Sequence, residues 1–293
     1  MTSKELKALV SLLDDPDSEV FGVVSNRIIV QGLKIISQLE RSWEESNSEL
    51  TQSRLENIIH TIQFQSTKAK LTQWVESGAT DLLEGAIHVA SYQFPELDYQ
   101  SIDSAINELK KTVWQELNQS LTPLEKVKAV NHIFFGINQF SANTTDFFSP
   151  DNHLVNKVLE SKKGGPVCLA VLYSTLAQKL GLPVYCVSLP RNFILAFLNR
   201  YRSVQEEHQS ESRVLFYISL FNGGRIVGHS EVEKYLENQK VEPKLEYFEP
   251  CSNRSTISQL IASLMLAYQK IDQPQKVSDL QEFLSITAEK FEV

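Results

Sequence analysis

Residues 166–180, PVCLAVLYSTLAQKL, form a helix-length run with almost no polar face, and two short β-rich runs follow at once, VYCVSL and NFILAFL, separated by Pro190-Arg191. A helix that is apolar nearly all round has to be buried. Short apolar runs rich in branched and aromatic residues read as strands. A buried helix followed by strands is therefore expected here. Pro166 fits the first helical position and Gly181 fits the stop. Strands are expected over 183–189, 192–198 and 213–220, with a short fourth at Arg225–Val227 after the turn Asn222-Gly223-Gly224. Residues 199–212 read as a charged exposed loop, and a helix is expected over 230–239.

The text before this core is helical. Leu6, Leu9, Val10, Leu12 and Leu13 share a stripe, which Asp14-Asp15-Pro16-Asp17 breaks. Asp17 can cap a second helix over 18–31 that Gly32 stops. Helices over 33–43 and from 49 through 62 follow; Trp74 to Tyr92 continues the pattern, and 101–119 is another helix. Thr122 and Pro123 open the next one as cap and first residue. The stretch LLDDPDSEV with its flanking helices resembles one HEAT unit, and the helical pair over 253–291, broken near Asp272-Gln273-Pro274, resembles one tetratricopeptide unit. Between 140 and 165 the text turns polar, and Asp151 or Asn152 is expected to cap a short helix over 153–161 that ends in Lys162-Lys163-Gly164-Gly165.

Charge and composition exclude whole classes of function. The formal charge of −8 lacks the electrostatic footprint of a nucleic-acid binder and disfavours an anionic membrane surface. No apolar run reaches a membrane span and the first residues lack a signal-peptide pattern, so a cytoplasmic protein is expected. The three cysteines have no Cys-x-x-Cys spacing, and the six histidines form no paired metal motif. No phosphate-binding glycine loop is present, so no cofactor and no metal are expected.

Cys168 is the residue with chemistry to offer. It stands at the start of the buried helix, where free N–H groups and the helix dipole favour a thiolate and could hold an oxyanion. Against that stands the habit of cysteine to pack as a small hydrophobe. Cys186, mid-strand, and Cys251, in a loop, read as packing residues, and His60, His88 and His132 as ordinary helix histidines. Asn131-His132 is the first place to look for a supporting role.

The run SPDNHLVNKVLESKKGGPVCLAVLYSTLAQKLGLPVYCVSLPRNFILAFLN resembles the SirB-type transglutaminase-like family. The resemblance rests on an acidic-Asn/His-Leu-Val-Leu segment, a Gly-x-Pro helix start, an L-G-L-P helix end and an L-P-x-H-F strand start, which reads LPRNF here, in that order; RLENIIHTIQF, LTPLEKVKAVNHIFF and LEYFEPCSN extend it along the chain. It implies an α+β fold: an all-helical region over 1–140, partly HEAT-like, a papain-like core over 141–250 with a helix on an antiparallel sheet, and a tetratricopeptide-like hairpin over 251–293.

The resemblance also implies a Cys-His-Asp triad, in which a thiolate attacks an amide and histidine carries the proton. The nucleophile position falls on Cys168, the histidine position on Asn192 and the orienting position on Ser219, with Asn222 as second choice. Asparagine does not titrate and serine carries no charge, so two of three roles are degraded. His229 and His153 are the candidate substitute bases. Arg191 could depress the Cys168 pKa or bind an anionic group. The leading expectation is a non-catalytic protein- or peptide-binding module. The alternative is an active cysteine hydrolase or acyltransferase that uses Cys168 with an atypical base.

Overall fold

The computed structural model describes residues 2–199 and 213–289, so the charged loop read over 199–212 lies, apart from Asn199, outside the described residues. The described residues divide into two compact units, built from 1–73 with 91–96 and from 74–90 with 97–293.

The first unit is helical: α1 (Ser3–Ser11), α2 (Ser18–Ile29), α3 (Ile36–Glu45) and most of α4 (Glu49–Glu76). Leu6, Leu13, Val24, Ile28, Leu39, Leu55 and Ile58 make its core. The Asp17 carboxylate accepts from Glu19 N at 2.8 Å and Gly32 takes φ +66°, as cap and stop were read. The acidic link before α2 is pinned from α4. Arg54 donates to the Leu13 and Asp15 carbonyls at 2.7 and 2.6 Å, and its guanidinium lies 4.4 Å from the Phe21 ring centre. Helix α4 runs further than the sequence reading, because neither Gly nor Pro interrupts 49–76 and the break comes only at Gly78 and Ala79, both at positive φ.

The second unit holds α5 (Leu82–Ser91, all but its last residue), α6 (Tyr99–Glu116) and α7 (Pro123–Asn131), the last with the Thr122–Glu125 capping box and Pro123 in its first turn. Two-residue strands β1 (Ser141–Ala142) and β2 (Lys163–Gly164) pair in parallel around α8 (Val155–Ser161). Helix α8 starts later than read, after a 3-10 turn over Pro150–His153. The reason is that Asn152 is engaged elsewhere: its Nδ2 donates to the Asp146 and Phe147 carbonyls at 2.7 and 3.1 Å, and its Oδ1 accepts from Asn143. Lys162, not a glycine, takes the left-handed position after α8.

Helix α9 (Pro166–Lys179) is buried from Val167 through Ala177, as its composition demands. It packs on a four-stranded antiparallel sheet in the order β3 (Val184–Leu189), β4 (Asn192–Leu198), β5 (Val214–Ser219), β6 (Arg225–Val227). One sheet face, with Val187, Leu189, Ile194, Ala196 and Tyr217, packs against Val232 and Leu236 of α10 (His229–Asn238) and against Phe248. The alternate residues Cys186, Phe193, Leu195 and Ile218 are also buried, so the opposite face meets α9. The hairpin of α11 (Asn253–Lys270) and α12 (Pro274–Thr287) packs through α11 on α9 and on the Pro150–His153 turn. The fold is α+β.

Two helical glycines have opposite consequences. A Cβ at Gly22 meets nothing within 4 Å, so Gly22→Ala is expected to stabilise by about 1 kcal/mol through helix propensity. A Cβ at Gly85 falls 2.7 Å from the Trp74 ring and 2.9 Å from Ile257 Cγ1, so Gly85→Ala is expected to destabilise by about 1–3 kcal/mol through overpacking. Urea melts of the two variants check both signs.

Candidate functional site

The N-terminus of α9 carries no side-chain cap. Gly165 is its cap residue and Pro166 has no N–H, and the first helical bond runs from Leu169 N to Gly165 O at 3.0 Å. The N–H groups of Val167 and Cys168 therefore have no acceptor within the helix. Cys168 itself is 0% exposed, and its sulfur makes no hydrogen bond among the described residues. Burial pushes its thiol well above the ordinary range. The magnitudes explain which effect wins. A helix dipole contributes about 0.3–1 kcal/mol, whereas full desolvation shifts a pKa by up to about 3–5 units, several times more. Cys168 is a protonated, packed thiol.

The other triad-equivalent positions make their hydrogen bonds to their own neighbours. Asn192 closes the β3–β4 hairpin opposite Leu189, across the two-residue turn Pro190-Arg191. Phe193 lies on the face toward α9, and Asn192, the first residue of β4, lines the same pocket as Pro166 and Val167 of α9. Its Oδ1 is occupied by Phe193 N at 2.8 Å. Ser219 ends β5, pairs with Arg225 and accepts from Asn222 Nδ2 at 3.3 Å. Among the described residues no hydrogen bond joins Cys168, Asn192 and Ser219.

The two substitute histidines differ sharply. His229 begins α10, stacks on Phe248 with ring centres 4.2 Å apart, and has Nδ1 3.5 Å from Glu233. It belongs to the layer on the sheet face away from α9. His153 is 8% exposed, and its ring lies against Gly165, where a Cβ would fall 2.9 Å from Cε1 and 3.1 Å from Nδ1. Its Nδ1 is sealed without a hydrogen-bond partner. Burial lowers its pKa to about 4, so the ring is neutral at pH 7.

A pocket of about 250 Å³ opens beside this helix start. His153, Arg191 and Asn192 line it together with Pro166 and Val167, whereas Cys168, Ser219 and His229 do not. Phe147, Phe148 and Leu266 form an apolar rim, each between 43% and 49% exposed. The sequence reading missed this rim. The Phe147-Phe148 pair, set in a polar run, was a visible signal; Leu266 had none, since only the fold brings α11 here.

Arg191 is exposed at φ +60° and makes no hydrogen bond or ion pair among the described residues. A non-glycine residue in the left-handed region is strained. Arg191→Gly is accordingly expected to leave stability unchanged or raise it by up to about 1 kcal/mol, read as a thermal midpoint.

Asn131 does have a supporting role. Its Nδ2 donates to Gly224 O at 2.7 Å and its Oδ1 accepts from the buried Tyr173 hydroxyl at 2.8 Å, which ties α7 to α9 and to the end of the sheet. Cys186 is buried in β3, and its carbonyl accepts from Cys251 N at 2.9 Å.

Among the described residues no three His, Cys, Asp or Glu side chains cluster as metal ligands, and no single helix is long and apolar enough to cross a membrane. A UPF0162 protein of Xylella fastidiosa is 31% identical over 122 residues, covering 41% of this chain and 43% of the relative. The UPF0162 protein of Vibrio cholerae is 26% identical over 192 residues, covering 64% of this chain and 67% of the relative. Human F-box only protein 21 is 26% identical over 182 residues, covering 54% of this chain and 28% of that protein. The match thus spans less than half of the Xylella relative. No solved structure matches significantly. The family model of the transglutaminase-like superfamily matches residues 100–262, more than half of the sequence and the whole of α9 with its sheet, and the chain belongs to that superfamily.

Proposed function

We propose that this chain is a SirB-type member of the superfamily that binds protein or peptide through its core and does not catalyse acyl transfer. The observation that carries this reading is the state of Cys168: fully buried, protonated, without a hydrogen-bonded imidazole and outside the pocket next to it. A thiol nucleophile needs thiolate character and access to substrate. The HEAT-like and tetratricopeptide-like helical flanks are the kind of element that supplies protein-contact surfaces.

One observation favours the alternative, an active thiol hydrolase or acyltransferase. His153 lies against Gly165, three residues before Cys168, so an imidazole is near the helix start. It faces a pocket that Cys168 does not line, which weighs against a thiol–imidazole pair. The test incubates the full chain and its Cys168→Ala variant with a glutamine-containing peptide and a primary amine. The expected result is no Cys168-dependent ammonia release, cleavage or amine incorporation by mass spectrometry. Product that disappears in the Cys168→Ala protein overturns the proposal.

A further inference from the structure

Most of the groups that the 250 Å³ pocket leaves without partners are donors; the Gln259 amide and the neutral His153 ring add one acceptor each. The Val167 N–H has no helical acceptor. Asn192 spends its Oδ1 on Phe193 N, which leaves Nδ2 as a free donor. The Arg191 guanidinium has no counter-ion among the described residues. His153, nine-tenths buried, has a ring with no hydrogen bond at either nitrogen. No aspartate or glutamate lines the pocket. An uncapped helix start, a free guanidinium and a free amide converging without any acid favour an anion over a cation or a neutral group.

The rim narrows the class further. Phe147, Phe148 and Leu266 present half-exposed apolar surface at the mouth, and Leu189 and Phe193 line the wall. A bare inorganic anion would gain nothing from that surface. The pocket is also smaller than a drug-sized ligand site, which starts near ~300 Å³. It takes a unit the size of one amino-acid residue.

We infer that this pocket binds an α-carboxylate bearing one apolar side chain, with the carboxylate held by Arg191, Asn192 and the Val167 N–H, and the side chain against the Phe147–Phe148–Leu266 rim. The inference rests on the binding reading above and names its ligand chemistry. The same chemistry is offered by the C-terminal residue of a polypeptide and by a free N-acylated amino acid.

The experiment titrates the full chain, by fluorescence anisotropy, with a labelled pentapeptide ending in leucine as the free acid and with its C-terminal amide. N-acetyl-leucine and inorganic phosphate serve as competitors. The free acid is expected to bind at least about tenfold tighter than the amide, the usual scale of a charge-assisted contact. Arg191→Gly, which suits the left-handed turn, is expected to weaken the acid about tenfold and leave the amide unchanged. Competition by N-acetyl-leucine but not by phosphate supports the inference and assigns the free amino-acid source; binding of the peptide acid with no displacement by either competitor supports it and assigns the polypeptide C-terminus. Equal binding of acid and amide, no binding of either, displacement of the peptide by phosphate, or an Arg191→Gly protein that binds like wild type overturns it. Mass spectrometry of the same mixtures separates the two levels. Peptide cleavage or an adduct on Cys168 defeats the non-catalytic reading, whereas equal acid and amide binding defeats only the carboxylate assignment.

Discussion

Replacing Gly224 with alanine is expected to destabilise the protein by about 3–5 kcal/mol, a large share of the ~5–15 kcal/mol that holds a typical domain together. Gly224 sits at φ +78°, where an L-residue is strained, and its Cβ would fall 2.3 Å from Asn131 Oδ1. Asn131 would have to move, and with it would go the bonds to the Gly224 carbonyl and the Tyr173 hydroxyl. Tyr173 is 0% exposed, so its hydroxyl would be left unsatisfied at a cost of about 1–3 kcal/mol. Gly223 is the control: at φ +63° with nothing within 4 Å of its Cβ, Gly223→Ala should cost only about 1 kcal/mol. Asn131→Ala removes the same two bonds and the clash, so the Asn131→Ala/Gly224→Ala double variant should cost at least ~1 kcal/mol less than the sum of the singles. Urea titration of the four proteins gives the cycle, and strict additivity would contradict the described network.

The second large effect is on acid stability. His153 has a folded pKa of about 4 because burial disfavours its charged form, against about 6.5 for an unfolded histidine. As pH falls through 6.5 the unfolded chain takes up the proton first. The stabilisation present above pH 6.5 is therefore lost progressively down to pH 4, to a total of about 3 kcal/mol. Carboxylates also titrate in that window, so the informative quantity is the difference between wild type and His153→Asn. The variant is expected to lose the part of the pH dependence between 6.5 and 4 that belongs to this ring. Urea midpoints at pH 7.5, 5.5 and 4.5 measure it, and parallel curves for the two proteins would show that His153 is protonated freely in the fold.

Much of the core was legible because it rests on local signals. Pro166 and Gly181 bracket α9, the apolar runs mark β3 and β4, and Thr122-Pro123 marks the start of α7; each works through neighbours in sequence. The misread start of α8 has a non-local cause. Asn152 looked like a cap, but its amide is claimed by carbonyls of the 146–147 loop, so α8 starts at Val155. Helix α4 runs past the stretch expected from Leu55, Ile58 and Ile62 because no Gly or Pro interrupts 49–76. In the site, Cys168, Asn192, Ser219, His153, His229 and Arg191 could all be named from sequence, but not their grouping. The packing of α9, α11 and the β3–β4 turn brings His153, Arg191 and Asn192 to one pocket that Cys168 does not line.

The proposed binding role requires Cys168 to be a packed core thiol. Alkylation with iodoacetamide across pH 5–9, read residue by residue by peptide mass spectrometry, addresses it most directly, with buried Cys186 and half-buried Cys251 as internal controls. Cys168 is expected to stay unlabelled in the folded protein at every pH and to react only once urea unfolds the chain. Labelling of folded Cys168, at a rate that levels off below the ordinary thiol pKa of about 8.5, would mean an accessible thiolate and would contradict that role.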